Sequence, residues 1–178
     1  FMNEDISKIL SQLSPKTQKR VQAASKVKLL RQTVPSISLD LAFGGGIGYG
    51  RQTLIWGNKS ASKTSFCLQL IAKAQSEGKV CALVDAENSH DPTWAERLGV
   101  NNEELIYTSI RTIADMADVC VDLMKAGVDL IVVDSISALL PNSYFSKGEE
   151  LKELEKTNQI GAHAKDLASA MKMLGYIN

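Results

Sequence analysis

The sequence has 178 residues, of which 44% are hydrophobic and 22% charged, and its formal net charge at pH 7 is zero. This length suits one domain with a sizeable core, and the composition excludes a chain that is disordered throughout. It contains no basic-then-apolar leader and no apolar run of about 18 residues, so we expect neither secretion nor a membrane partner. Three isolated cysteines without CxxC spacing predict reduced core thiols in a cytoplasmic protein.

The charges are distributed unevenly along the chain. Residues 1–80 carry 12 basic and 4 acidic side chains, whereas residues 81–134 carry 3 basic and 11 acidic ones. This asymmetry predicts that a protein without net charge has both a basic face and an acidic pocket.

Residues 2–34 are polar and basic, and we expect them to form an N-terminal helical arm rather than part of the core. A second helical stretch is expected over residues 16–28, after the break at Ser14-Pro15. The first stretch has a narrow apolar stripe at helical spacing, made of Ile6, Ile9, Leu10 and Leu13. We predict that the arm mediates homo-oligomer assembly by docking on a neighbouring subunit, the alternatives being an arm folded on its own domain or a tail that touches DNA.

Residues 35–178 alternate between strand and helix patterns and predict an α/β core with a mostly parallel sheet flanked by helices. The continuous apolar run Leu130-Ile131-Val132-Val133 is typical of a strand buried on both faces. The predicted strands are Gln52–Trp56, Val80–Val84 and Asp129–Asp134, and the predicted helices are 64–77, 92–98, 113–125 and Gly161–Leu174.

The strongest motif lies between the first predicted strand and the helix that follows it. Backbone N–H groups in such a turn surround phosphates at the helix N-terminus, Lys63 would neutralise them, and the Thr64 hydroxyl would ligate Mg²⁺. Ser62 departs from the consensus GxxxxGK[ST], which has glycine there. A turn that binds nothing is the alternative. The expected nucleotide-binding residues of this loop are Gly57, Asn58, Lys59, Ser60, Ala61, Ser62, Lys63, Thr64 and Ser65.

Two acidic segments follow predicted strands. Asp134 ends the buried strand 129–134 and is a candidate to hold Mg²⁺ together with Thr64, the alternative being a carboxylate that only caps a turn. Glu87 follows the strand 80–84 and is a candidate to activate an attacking water. Nearby, Trp94 is a candidate to stack on adenine and Asp91 to accept its amine, the alternative for Trp94 being a core or surface-packing aromatic, which is the more common role of such a residue.

Several motifs in the same order together resemble the RecA family of recombinases. They are Ser36-Ile37-Ser38-Leu39-Asp40, the glycine turn 44–50, GNKSASKTS from residue 57, LVDAENSHDPTWAERLGV from residue 83 and DLIVVDSISALLP from residue 129. The Ser62 departure and the polar N-terminal arm are more similar to phage-type, UvsX-like recombinases.

The resemblance implies a RecA-like nucleotide-binding core that uses ATP and Mg²⁺. By that resemblance, residues 57–64 bind phosphates, Thr64 and Asp134 serve Mg²⁺, and Glu87 is the catalytic acidic residue together with Lys63. Asp91 and Trp94 would hold adenine.

The resemblance also places a first DNA-binding loop between Pro141 and Gln159. Acidic residues interleave with its aromatic and basic ones, so a solvated helix is the alternative. The family's next strand and second DNA-binding loop would follow Asn178, which implies that the C-terminal part of the core is missing from the sequence. The expected single-stranded DNA contacts are Tyr144, Phe145, Lys147, Lys152 and Lys156.

The sequence therefore predicts an ATP-dependent recombinase that polymerises on single-stranded DNA. Two other functions stay open at this point. One is another RecA-like ATPase, such as a helicase or a repair-type relative, and the other is a nucleotide-dependent scaffold without turnover.

Overall fold

The computed structural model describes residues 4–21, 28–141, 144 and 161–176. The chain opens with two short helices, α1 (Glu4–Ser11) and α2 (Pro15–Gln18). Ser14 caps α2, because its side chain accepts a hydrogen bond from the Thr17 amide. The helix predicted over 16–28 therefore ends earlier than expected, since residues 19–21 are not helical.

A small antiparallel pair joins β1 (Arg31–Gln32) to β2 (Ile47–Gly48), with α3 (Ile37–Ala42) between them. The strands approach closely at Gly46, where a Cβ atom would lie only 2.1 Å from the Gln32 carbonyl oxygen. Its φ of +105° also favours glycine. The sequence patterns predicted neither β1 nor β2, because two-residue strands carry no periodic signal.

The end of the predicted arm packs with the core. Gln32 and Val34 are buried. The Tyr49 hydroxyl donates to Gln32 Oε1 at 2.6 Å, and Gln32 Nε2 donates to Glu77 Oε2 at 3.0 Å. These contacts hold residues 31–34 against Glu77, which caps the C-terminal end of the helix Lys63–Ser76.

The main sheet is parallel and has the strand order β4-β3-β5. Its prediction as an α/β architecture is confirmed, and the observed helices and strands lie within a residue or two of those predicted at 64–77, 80–84, 92–98, 113–125, 129–134 and 161–174. The edge strand β4 was not predicted. The elements are α4 (Lys63–Ser76), β3 (Cys81–Asp85), α5 (Pro92–Arg97), β4 (Leu105–Ser109), α6 (Ile113–Ala126), β5 (Leu130–Asp134) and α7 (Ala162–Gly175).

Two apolar clusters lie on opposite faces of the central strand β3, which is buried throughout. Cys81 and Leu83 pack with α4 residues such as Ile71, whereas Val84 packs with α6 and α7 through Met116 and its neighbours. The alternation of side chains along a strand gives β3 its two buried faces. The sheet is thus enclosed between helices and holds its strand ends in fixed positions.

The predicted strand Gln52–Trp56 is not observed. A strand requires a hydrogen-bonded neighbour, and among the described residues this segment has none. Leu54 and Trp56 are exposed, whereas Gln52 Nε2 donates to the Met171 carbonyl oxygen of α7 at 2.8 Å. The segment therefore reaches the phosphate-loop candidate as extended chain anchored to α7.

The three cysteines are free thiols, as predicted. Burial raises the pKa of Cys67, Cys81 and Cys120 to about 11 in each case. They stay protonated at neutral pH and act as small apolar groups. Within the described ranges, we find no helix with the length and apolarity needed to cross a membrane.

Candidate functional site

The site lies at the carboxyl ends of the three parallel strands. Asp85 of β3 is in register with Asp134 of β5 and with Ser109 of β4, so all three strands end at one edge. Ligands of open parallel sheets bind at this edge, where the connecting loops meet. The two strand-end carboxylates that the sequence separates by 49 positions are therefore neighbours in space.

The phosphate-loop candidate reaches the same edge and leads directly into α4. Lys63 is the first residue of that helix, and its Nζ donates to the carbonyl oxygens of Gly57 at 3.1 Å and Asn58 at 2.9 Å. The ammonium group thus lies across the mouth of the loop. A helix N-terminus beside a lysine is an arrangement that attracts phosphate groups.

Two serines in the loop have left-handed backbones. Ser62, the N-cap of α4, has φ 59° and ψ 27°, and Ser60 has φ 62°. The backbone at residue 62 is therefore the one for which the consensus uses glycine. A non-glycine residue in this conformation costs roughly 1–2 kcal/mol.

Thr64 and Asp134 are brought together across 70 positions of sequence. The Thr64 hydroxyl donates to Asp134 Oδ2 at 2.7 Å. Hydroxyl and carboxylate oxygens are hard ligands, and Mg²⁺ is ordinarily held by one or two such groups plus phosphate and water. The pair fits Mg²⁺ bound with a nucleotide, and the described residues include no cluster of three or more His, Cys, Asp or Glu that would form an all-protein metal cage.

Glu87 lies just beyond the end of β3 and faces the start of the loop after β5. The Ser135 hydroxyl donates to Glu87 Oε1 at 2.7 Å, and Ser137 lies 2.8 Å from Ser135, oxygen to oxygen. Because the Ser135 proton is used on Glu87, the bond between the serines is donated by Ser137. The carboxylate is exposed to solvent, and among the described side chains it accepts a hydrogen bond from Ser135 on one oxygen. The other oxygen can therefore accept a proton from a water molecule.

The candidate adenine-binding residues lie next along the chain. Asp91 is the N-cap of α5, since its Oδ1 accepts from the Trp94 amide at 3.1 Å. Trp94 is 44% exposed, so its ring presents a surface to solvent. Both residues line a narrow cavity of about 60 Å³ that also reaches Thr64, Asp85 and Asp134. The cavity joins the predicted metal and base-binding positions, whereas the predicted catalytic residues Glu87 and Lys63 do not line it.

Sequence reasoning assigned no role to three residues at the site. Asp85 has the same signal that identified Asp134, a carboxylate at the end of a buried strand. Tyr107 lies in the unpredicted strand β4, and its ring stacks on His90 with centroids 5.3 Å apart. Cys67 lines the cavity beside Thr64 as an uncharged thiol.

The predicted DNA-binding loop lies largely outside the described residues. Of its expected DNA contacts, Tyr144 is described, and its amide donates to the Pro141 carbonyl oxygen at 3.0 Å. The other predicted contacts, Phe145, Lys147, Lys152 and Lys156, fall outside the described ranges.

The strand-end carboxylates and the loop before α4 belong to an α/β fold with a candidate phosphate-binding loop. Comparison with known proteins narrows this class to one family. The sequence of residues 2–178 matches the protein family described as the RecA N-terminal domain. Protein RecA of Marinobacter nauticus is 38% identical over 151 residues, which are 81% of this chain and 42% of that protein. The chain belongs to the RecA family.

The matched residues thus cover less than half the length of this curated relative. The match confirms the family that the motifs suggested. The likeness to phage-type recombinases stays a prediction.

Replacing Ser62 with glycine should stabilise the protein by about 1 kcal/mol, because glycine adopts a left-handed backbone without the steric cost that serine carries. Urea unfolding followed by circular dichroism measures the change. Ser65→Gly is the matched control. Ser65 lies inside α4, where glycine should lower the free energy of unfolding by about 0.5 kcal/mol. Equal shifts in both variants would contradict the assigned strain.

Proposed function

We propose that the protein is an ATP-dependent DNA recombinase, which polymerises on single-stranded DNA and promotes homologous pairing and strand exchange. The observation that carries the proposal is the contact between Thr64 and Asp134 beside the Lys63 loop, in a chain of the RecA family. That contact joins the proposed phosphate loop to Asp134, the acidic residue at the end of β5. Phosphoryl transfer from a nucleoside triphosphate uses a loop and a carboxylate arranged in this way.

In this proposal, residues 57–65 bind the phosphates of ATP. Backbone N–H groups of the loop and of the first turn of α4 donate to phosphate oxygens, and Lys63 exchanges its loop carbonyl partners for them. Thr64 and Asp134 hold Mg²⁺, which when bound neutralises charge on the transferring phosphoryl group. Lys63 therefore contributes both to binding and to the stabilisation of transferred charge.

Glu87 is the proposed general base. Its carboxylate accepts a proton from the attacking water, and Ser135 fixes one of its two oxygens. The adenine base is proposed to stack on Trp94. Asp91 Oδ1 already accepts the Trp94 amide, so Oδ2 is the oxygen proposed to accept the adenine amino group.

The proposed macromolecular partners are single-stranded DNA and further copies of this chain. DNA would meet the loop that contains Tyr144, Phe145, Lys147, Lys152 and Lys156. Copies would join through the arm, where Ile6 and Ile9 of α1 are exposed. A head-to-tail contact of this kind does not close by itself and yields filaments or rings. We place this assembly in the cytoplasm of a bacterial or phage-infected cell.

ATP hydrolysis by the full-length protein, measured with and without single-stranded DNA, tests the proposal as a whole. A recombinase should show turnover that DNA stimulates. Turnover that DNA leaves unchanged would indicate another RecA-like ATPase. Nucleotide binding and assembly without turnover would indicate a scaffold.

Lys63→Ala should weaken ATP binding at least 10-fold and abolish nucleotide-dependent assembly, because it removes a charged donor to the phosphates. Binding is measured with a fluorescent ATP analogue. The comparison variant is Lys59→Ala, which removes the other lysine of the loop from an exposed position and should weaken ATP binding less than Lys63→Ala does. An unchanged affinity in Lys63→Ala, or an equal loss in Lys59→Ala, would contradict the assignment.

Glu87→Gln should leave ATP affinity within about twofold and slow hydrolysis roughly 100-fold, the scale expected when a general base is lost. Single-turnover measurements in the full-length protein separate hydrolysis from binding. Glu104→Gln removes an exposed carboxylate away from the site and should hydrolyse ATP at the parental rate. Hydrolysis by Glu87→Gln at that same rate would move the base elsewhere.

Removal of residues 2–27 should give a folded, ATP-binding protein that no longer polymerises, which sedimentation with ATP and DNA would detect. The deletion stops short of Gln32 and Val34, since both pack with the core. Extending it through residue 34 should also lower the midpoint of urea unfolding. Filaments formed by the shorter deletion, or its failure to fold, would show that the arm is not an assembly element.

A further inference from the structure

Asp85 is a buried carboxylate that organises the turn after β3. It is only 2% exposed. Its Oδ1 accepts from the Glu87 amide at 3.0 Å, and its Oδ2 accepts from the amides of Ser89 and His90, both at 2.9 Å. A buried charge must be compensated by donors of this kind. The carboxylate therefore fixes the path of the backbone from residue 86 to residue 90.

One side chain also donates to this carboxylate. The Tyr107 hydroxyl lies 3.2 Å from Asp85 Oδ2, reaching it from the neighbouring strand β4. Burial, and then the negative charge of Asp85, raise the pKa of Tyr107, so that its hydroxyl is protonated and donates at neutral pH. Its ring stacks on His90 with an interplanar angle of 29°, which braces the far end of the same turn.

The turn carries the proposed base. Glu87 is bonded through its amide to Asp85, and Asn88 follows with φ 53°, a left-handed backbone that reverses the chain. A carboxylate held on both oxygens cannot rotate freely, so the Glu87 amide has one defined position. Without the Tyr107 hydroxyl, Oδ2 keeps the two amide donors of the turn itself, and among the described residues no side chain outside the turn restrains it.

We infer that Tyr107 is a positioning residue for Glu87, acting through the Asp85 carboxylate. This inference rests on the proposed function, in which Glu87 accepts the proton of the attacking water. Catalytic groups must be held within about 0.5 Å of their productive position, so a loosened turn should slow the chemical step. ATP affinity should change less than kcat, because the loop 57–65 makes no part of this hydrogen-bond set and the bond from the Trp94 amide to Asp91 is kept.

The test is Tyr107→Phe in the full-length protein. Phenylalanine keeps the ring that stacks on His90 and removes only the hydroxyl. We expect kcat for ATP hydrolysis to fall about 2- to 10-fold, the range for one hydrogen bond, with KM within twofold. The matched control is Tyr49→Phe, which removes a hydroxyl donor to Gln32 far from the site and should leave kcat unchanged.

A second background separates positioning from general structural support. In Glu87→Gln, the base is already lost, so adding Tyr107→Phe should lower kcat less than 1.5-fold further. A readout without turnover is amide hydrogen exchange, which should become faster at Glu87, Ser89 and His90 in Tyr107→Phe but not in Tyr49→Phe.

The outcomes distinguish the inference from the proposed function. Slow hydrolysis by Glu87→Gln together with parental kcat and exchange in Tyr107→Phe would overturn the inference alone. Equal losses from Tyr107→Phe in both backgrounds, or a higher KM at parental kcat, would overturn it as well. Absence of turnover in the unmutated protein, or parental hydrolysis by Glu87→Gln, would overturn the proposed role of Glu87 and this inference with it.

Discussion

The in-register parallel pairing of β3 with β5 is the constraint on which the rest of the site depends. Because Asp85 lies opposite Asp134, the loops after both strands leave the sheet at the same level. Glu87 can then meet Ser135, and the Ala86 amide can donate to the Asp134 carbonyl oxygen at 2.9 Å. A shift of one residue would turn every side chain of the strand to the opposite face and separate these groups.

The two strand-end carboxylates serve different purposes because their surroundings differ. Asp85 is buried, and within the described part of the chain its hydrogen bonds come from the turn and from Tyr107. Asp134 is only partly buried and accepts from Thr64, a single side chain at the start of α4. The buried carboxylate with four hydrogen-bond donors suits a structural role, whereas the partly buried one with a single described donor suits a metal ion. Burial and donor count, rather than position along the strand, separate these roles.

The elements that the sequence predicted well have strong local signals. α6 has helical periodicity, and β5 is a continuous apolar run, so neighbours were not needed to identify them. β4 was missed because it is a half-exposed edge strand without a continuous apolar run. The prediction of a strand at Gln52–Trp56 was wrong although its local pattern is apolar. Strand formation also requires a hydrogen-bonded neighbour, which the local sequence does not specify.

The residues of the site could be predicted where a local sequence motif indicates their chemistry. They could not be predicted where their contacts depend on how two strands pair. The spacing of residues 57–64 identified the loop and marked Ser62 as its departure from the consensus glycine. Asp85 and Tyr107 lie 22 positions apart and meet only because β3 and β4 pair in parallel, which places Leu83 opposite Tyr107 and brings the hydroxyl towards the end of β3. No pattern within either segment encodes that contact.

The distribution of charge at the site bears on the form of nucleotide that it suits. The strand ends and the turn contribute carboxylates, whereas the loop contributes the ammonium groups of Lys59 and Lys63. A bare polyphosphate placed beside Asp134 and Glu87 would face like charges at short range, which in a partly buried site is costly. A divalent cation between Asp134 and the phosphates reverses the sign of that interaction, as bound cations do at such sites. In the proposed function, the carboxylates at the sheet edge would therefore favour the magnesium complex over the free nucleotide, while the lysines of the loop would attract the phosphates.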